Sequence, residues 1–414
     1  METLVNVRKM KSNRKYYIYI VVMAVLYGLQ YYINNKITPV GDQTAFLKYA
    51  EEYHYNYLFF GIDRYFTWSS RLLIESATLL FSIHEKLFVI VSVLATFVLL
   101  LPSKKFSKEL PWLPGFLLFI CIPASEFLSA GSIPTYVNYI FPASFLLFSI
   151  YYRHSSNHFV KIISFVSFVF AVMQEQLAVY SFLWLAFELV RDWRVTRFRI
   201  RNVFYTFVSL AGIISAKLAP GNGVRFTKEV MTWFPNFSKL NSVQKLGLGI
   251  LEAGDGLLSV SFTFVFLFLI VMIMLAFYKR NLICISLSGF VFLSILSQKF
   301  EWRSIFFTLS AISKHARETG TFQFNLVYCG AVLYYIILLG LVLFVIWSLA
   351  DLDDKIWLPY LLVIGLVGRL VISFSPTLYA SGTRTYLPVM LSIFIITCKF
   401  INQIYLKMKI EKIN

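Results

Sequence analysis

Apolar runs of about twenty residues follow one another along this chain, separated by short polar or charged stretches, as in a protein that crosses a membrane repeatedly. They begin near Tyr16, Lys86, Trp112, Pro134, Phe159, Glu175, Asn202, Leu257, Asn281, Leu326, Ile356 and Arg384. Each span needs roughly 17 to 25 residues, so the pattern predicts an all-α polytopic membrane protein of about 11–13 transmembrane helices. Residues 1–414 then form a single transmembrane domain, with no room for a separate soluble catalytic one.

Two stretches depart from this rhythm. In RLLIESATLLFSI (71–83), Leu72, Leu73, Ser76, Leu79, Leu80 and Ile83 share one helical face, with Glu75, Thr78 and Ser82 elsewhere. An amphipathic helix lying in the interface is expected there, inside a first outer loop of residues 34–85. Gln174, Glu175 and Gln176 interrupt one long apolar stretch and predict an outer turn between two short spans.

Composition supports the membrane reading. The chain is 58% hydrophobic and only 14% charged, too few charges to cover a soluble globule of this length. Its net charge of +17 does not point to nucleic acid, because Lys and Arg gather in short loops between apolar runs. LPSKKFSKEL, YYRHSSNH, RDWRVTRFRIR, YKRN, ADLDDK and the tail LKMKIEKIN are assigned to the cytoplasm with both termini, and only ADLDDK runs against the basic excess. The N-terminal stretch has a basic start and an apolar run with no small-residue cleavage site after it, so it is expected to stay as the first span. Abundant Phe, Tyr, Lys, Ile and Asn fit a bacterial coding bias. Cys121, Cys284, Cys329 and Cys398 lie far apart and read as apolar filler.

This threading puts nearly every motif-like stretch on the outer side: residues 37–71, 129–139, 173–176, 216–226, 299–325 and 375–384. Helix packing is expected to bring them around one outward-facing cavity. Asp42 could act there as a general base, or cap the helix that begins at QTAFLKYAEE. Arg71, Arg225 and Arg384 stand at outer edges of apolar runs and Lys217 in a last turn; they could hold a phosphate or snorkel to headgroups. In SAKLAPGNGVRFTKEV, Pro220 is expected to end a span. Gly221 and Gly223 would turn backbone amides toward an anion, with Asn222 and Arg225 completing the cradle; an ordinary exit turn is the alternative. Glu175 is costly in an apolar stretch and should bind sugar hydroxyls, pair with an arginine, or sit in a turn. HSSNH (154–158) reads as a solvated loop, and no histidine spacing suggests a metal.

The ordered set VGDQ, WSSR, VNY, QEQ, APGNGVR and SPTLYASGTR resembles a family of bacterial polytopic proteins grouped with glycosyltransferases of the GT-C type, and distantly the serotype-converting glucosyltransferases of phages. The likeness runs from about residue 40 to residue 385, and APGN followed by Arg is its most specific part. It implies a GT-C-like fold with interfacial helices and an acid in the first outer loop. It also implies a polyprenyl-phosphate-linked sugar as donor and a cell-envelope glycan as acceptor, outside the bacterial plasma membrane. Asp42 takes the place of the catalytic acid or base, and Trp68 with Arg71 that of a W-x-x-R motif closing the loop. Asn138, Glu175 and Asn222 fall at substrate positions, and Arg71, Lys217, Arg225 and Arg384 at the donor phosphate. Such enzymes often carry two neighbouring acids in that loop; here Gln43 follows Asp42, which weakens the argument for a bound divalent metal, and no cofactor is expected. A polysaccharide polymerase would share this outer chemistry. A flippase would show internal repeats and broken helices near the midplane, and no repeat stands out between the halves.

Overall fold

The computed structural model of the chain describes residues 2–37, 41–194, 199–258 and 262–411, with side chains from residue 14 onward. Val40 of VGDQ, residues 195–198 of the basic loop and the last three residues of the tail lie outside those described. Among the described residues all regular structure is helical, and the chain divides into two compact units, Met1–Ala219 and Pro220–Asn414.

The first unit begins with α1 (Glu2–Ile37), α2 (Gln43–Glu52), α3 (Tyr57–Thr67), α4 (Leu72–Ile83) and α5 (Glu85–Leu100). It continues with α6 (Leu113–Cys121), α7 (Ser132–Tyr152), α8 (His158–Ala171), α9 (Glu175–Arg194) and α10 (Ile200–Leu218). The second contains α11 (Gly221–Trp233), α12 (Ser242–Leu258), α13 (Thr263–Tyr278) and α14 (Leu282–Lys299). It ends with α15 (Ile305–Thr319), α16 (Leu326–Leu349), α17 (Trp357–Leu370) and α18 (Leu387–Glu411). Several starts are written locally: the side chains of Asn56, Asn157, Asn281, Ser304 and Asn325 each accept a first-turn backbone N–H, answering donors that a helix cannot satisfy itself.

Among the described residues seven helices are long and apolar enough to cross a membrane, or up to nine if each of two bent helix pairs counts as one span. Fewer pass this test than the dozen runs read from the sequence. α6 and α8, in two of those runs, hold 9 and 14 residues. At the helical rise they reach about 14–21 Å, short of a hydrocarbon core of about 30 Å. α7 in the first unit and α18 in the second are buried over most of their length, each a central post for its unit. α16 leaves Leu333, Ile336 and Ile337 exposed, as a lipid-facing helix would.

The first loop folds on itself. Phe46 and Ala50 of α2 meet Phe60 of α3 and Leu79 of α4 in a small core. The orientation of α4 corrects the amphipathic expectation: Glu75, Thr78 and Ser82 are buried with Ile74, Leu79 and Phe81, whereas Leu72, Leu73 and Leu80 are only partly covered. The polar face points inward because partners wait there, among them Ser69, whose hydroxyl donates to Glu75 at 3.1 Å.

APGNGVR is also built differently from the expected turn. Pro220 is the N-cap of α11, so Gly221, Asn222 and Gly223 form a helical first turn, and neither glycine has a positive φ. Gly41 does use that freedom. Its φ is +55°, and a Cβ there would lie 2.6 Å from the backbone of Ala130 and Gly131, where Asp42 N donates to Ala130 O at 3.0 Å. Gly41→Ala is therefore expected to lower stability by about 1–3 kcal/mol. Gly223→Ala meets nothing within 4 Å and is expected to be neutral or stabilising by up to about 1 kcal/mol, having gained helix propensity. Thermal unfolding of both variants in one detergent checks the contrast; equal melting temperatures would contradict it.

Candidate functional site

In the first unit, three of the polar stretches meet at one point. Arg71 is the N-cap residue of α4, Asn138 lies on α7, and Glu175 opens α9, where the helix N-terminus favours a carboxylate. Arg71 Nε donates to Glu175 Oε2 at 2.9 Å and Nη2 to the same oxygen at 2.6 Å, while Nη1 donates to Asn138 Oδ1 at 3.1 Å. Asn138 Nδ2 donates to Thr78 Oγ1 at 3.2 Å and to Pro134 O at 2.9 Å, which fixes its amide oxygen toward the guanidinium. Gln174 helps to set the start of α9, its Oε1 accepting from Leu177 N at 2.8 Å.

Burial works against charge on Arg71, but the facing Glu175 carboxylate outweighs it and the guanidinium pKa lies above its ordinary value. Side-chain exposures of 12% for Arg71 and 23% for Glu175 leave the pair sheltered but reachable. A second pair sits behind it, Arg64 Nε lying 3.5 Å from Glu75 Oε2. Two guanidiniums thus face two carboxylates, and the centre is neutral as a whole. Trp68 belongs to this second pair: its ring carries the Arg64 guanidinium at 4.8 Å.

Asp42 occupies the N-cap position of α2, yet its side chain makes no cap bond, and the residue is exposed. It is anchored at Ala130, just before α7, and the side chain of neighbouring Gln43 donates to Ser82 O at the far end of α4. Arg71 stands at the other end of α4, about 16 Å away along the axis. The structure therefore brings Arg71, Asn138 and Glu175 together and leaves Asp42 at the rim. Lys217, in the last turn of α10, is exposed.

The second unit has its own polar centre, which the sequence reading missed. Arg317 of α15 donates from Nε and Nη2 to Glu252 Oε2 of α12 at 3.0 and 2.6 Å, and lies 3.8 Å from Asp255. Ser310 donates to Asp255 Oδ1 at 2.5 Å. Tyr379 lies under Arg317, and Tyr386 donates to Glu252 O at 2.8 Å while carrying the buried Arg369 over its ring at 4.4 Å. The local signal was LEAGDG, two carboxylates among glycines in an apolar stretch. The glycines admit the rings, since a Cβ on Gly254 would lie 2.4 Å from Tyr335 and one on Gly256 2.0 Å from the Tyr386 hydroxyl. Another face of α12 lines an apolar cavity of about 210 Å³ with Ile250, Ala253, Gly254 and Leu257. Of the expected residues in this unit, Arg225 donates to Glu229 at 2.7 Å one turn along α11, Asn222 lies in its first turn, and Arg384 stands half-buried in the turn before α18.

The acidic loop ADLDDK is answered by lysines: Asp351 lies 3.3 Å from Lys279 and Asp354 2.5 Å from Lys399. No group of three or more His, Cys, Asp or Glu close enough to hold a metal occurs among the described residues. Compared with protein-family models, curated proteins and solved structures, the chain matches none.

Arg71→Gln and Glu175→Gln each leave one charge of a sheltered pair behind. Each is expected to cost up to about 3 kcal/mol, and the double variant distinctly less than the two together. A double-mutant cycle of unfolding free energies measures this coupling; strict additivity would show that the two side chains do not act as a pair.

Proposed function

We propose that the protein is a membrane glycosyltransferase of GT-C-like architecture, transferring a sugar from a polyprenyl-phosphate donor to a cell-envelope glycan or glycolipid outside a bacterial plasma membrane. The observation that carries this reading is the Arg71–Asn138–Glu175 centre, a guanidinium fork, an amide and a carboxylate drawn from three separated stretches to one sheltered point among apolar helices. A planar fork suits phosphate oxygens, and an amide and a carboxylate suit sugar hydroxyls.

In this proposal the donor phosphate exchanges with Glu175 for the Arg71 fork, whose charge stabilises negative charge building on the leaving polyprenyl phosphate. A carboxylate takes the proton from the acceptor hydroxyl as the new glycosidic bond forms. A released Glu175 is the carboxylate beside the fork; Asp42, the base that the resemblance implies, lies about 16 Å away along α4 and can serve only an acceptor that reaches the rim. In the first unit Lys217 is proposed as a further phosphate contact and Trp68 as a substrate contact, no metal being required; in the second unit, taken by itself, Arg225, Arg384 and Asn222 keep the roles that the resemblance implies. For Arg225, binding would cost its present bond to Glu229. Both termini lie in the cytoplasm under this reading, and α2–α4 form interfacial helices on the outer side.

The test is transfer of radiolabelled sugar from polyprenyl-phosphate sugars to envelope acceptors in membranes, at matched expression. Asp42→Asn, Arg71→Ala and Arg225→Ala are each expected to lower transfer about 10²-fold or more. Full activity of Asp42→Asn with loss in Glu175→Gln would move the base to Glu175. If wild type transfers nothing from any donor while lipid-linked precursor accumulates on the inner leaflet of a deletion strain, the protein is a flippase and the transferase reading fails.

A further inference from the structure

The helices that carry the Arg71–Glu175 centre carry a second polar centre at their other ends. Arg153 follows the last turn of α7, fifteen residues beyond Asn138, and Glu188 lies thirteen residues beyond Glu175 on α9. Both intervals amount to about 20 Å at the helical rise, so one centre stands at each end of the same pair of rods.

The loop expected to be solvated is fastened there. Arg153 is buried and donates to Asn202 Oδ1 at 2.9 Å, to Ile150 O and to Glu188, which is held in turn by Trp184 Nε1 at 2.9 Å. Asn202 Nδ2 donates to Asp192 Oδ2 at 2.8 Å, and its Oδ1 lies 3.0 Å from His154 Nε2. Arg201 Nη1 donates to Arg153 O at 2.8 Å, and Arg199 Nε reaches Asp192 only at 4.0 Å. Glu188 and Asp192 therefore stand against three guanidiniums, a positive surplus among the described residues. His154 registers that field: burial first, then Arg153, with Arg199 and Arg201 behind it, holds its pKa down to about 4, so it is neutral at pH 7.

His154, Arg199, Ile200 and Arg201 line an open pocket of about 490 Å³. In its lining Ile200 is 77% exposed, a large apolar side chain between two cations in sequence, and Trp193 of α9 is 80% exposed. A basic pocket with an apolar skirt at the end of a membrane-length helix fits a headgroup with its acyl chains. We propose that this pocket binds the phosphate of an anionic phospholipid headgroup, at the end of the first unit opposite the Arg71–Glu175 centre. The site takes no part in the transfer reaction proposed above and does not depend on it.

The test uses the full chain in a mild neutral detergent, with native mass spectrometry reading retention of phosphatidylglycerol against phosphatidylcholine. Wild type is expected to hold phosphatidylglycerol preferentially, and Arg199→Gln and Arg201→Gln each to weaken that hold about fivefold, leaving phosphatidylcholine unchanged. Arg201 also supports the Arg153 carbonyl, so Arg199→Gln decides if Arg201→Gln unfolds. Equal retention of the two lipids by wild type, or phosphatidylglycerol retention unchanged in Arg199→Gln, would overturn the proposal. Glycerol 3-phosphate at millimolar concentration is the soluble probe. Its binding without any phosphatidylglycerol preference would assign the pocket to a soluble phosphate and overturn the lipid assignment.

Discussion

A charge held among apolar helices must be neutralised where it stands, because desolvation costs each isolated ion several kcal/mol. Acids are the scarce partner in this chain, 21 against 38 lysines and arginines. Sheltered acids go to specific cations: Glu175 to Arg71, Glu75 to Arg64, Glu188 to Arg153, Glu252 and Asp255 to Arg317. These pairs fix which helix ends lie together. Much of the basic surplus is left to loops and rims, where water and headgroups can meet it, while the buried Arg369 stands over the Tyr386 ring.

This economy also shapes the chemistry available at the Arg71 centre. A fork already occupied by Glu175 needs no ligand to stay folded, yet its charge is kept and its geometry set by Asn138 and Thr78. An incoming phosphate would replace one oxyanion by another, releasing a carboxylate beside the substrate. Preorganisation of this kind costs the protein little at the moment of reaction. The same logic distinguishes Arg225, whose i, i+4 bond to Glu229 is local to one helix, from Arg71, whose partners are 67 and 104 residues away.

Those separations explain what could be read in advance. The run of apolar segments revealed the all-helical, multi-span character, since period and length are local properties. Arg71 and Glu175 stood out individually because charge near an apolar run is expensive, and Glu175 was expected to pair with an arginine, bind a sugar or sit in a turn. Which arginine it pairs with was not legible, because that depends on how α4, α7 and α9 pack. The inward polar face of α4 was misread for a related reason: its amphipathicity is real, but the helix points its polar side at ion-pair partners instead of water. In APGNGVR, glycine was taken for a turn where Pro220 starts a helix. Arg317 and Glu252 escaped notice because they lie 65 residues apart and only the packing of α12 on α15 brings them together.

The most direct measurement is equilibrium binding of a polyprenyl phosphate to the purified wild type, to Glu175→Gln and to Arg71→Ala in one detergent. If phosphate and Glu175 compete for the Arg71 fork, removing the competing charge should tighten binding about tenfold or more, one such step being about 1.4 kcal/mol, and Arg71→Ala should abolish it. Affinity unchanged by both substitutions would show that the Arg71–Glu175 pair holds the fold together without touching a phosphate donor.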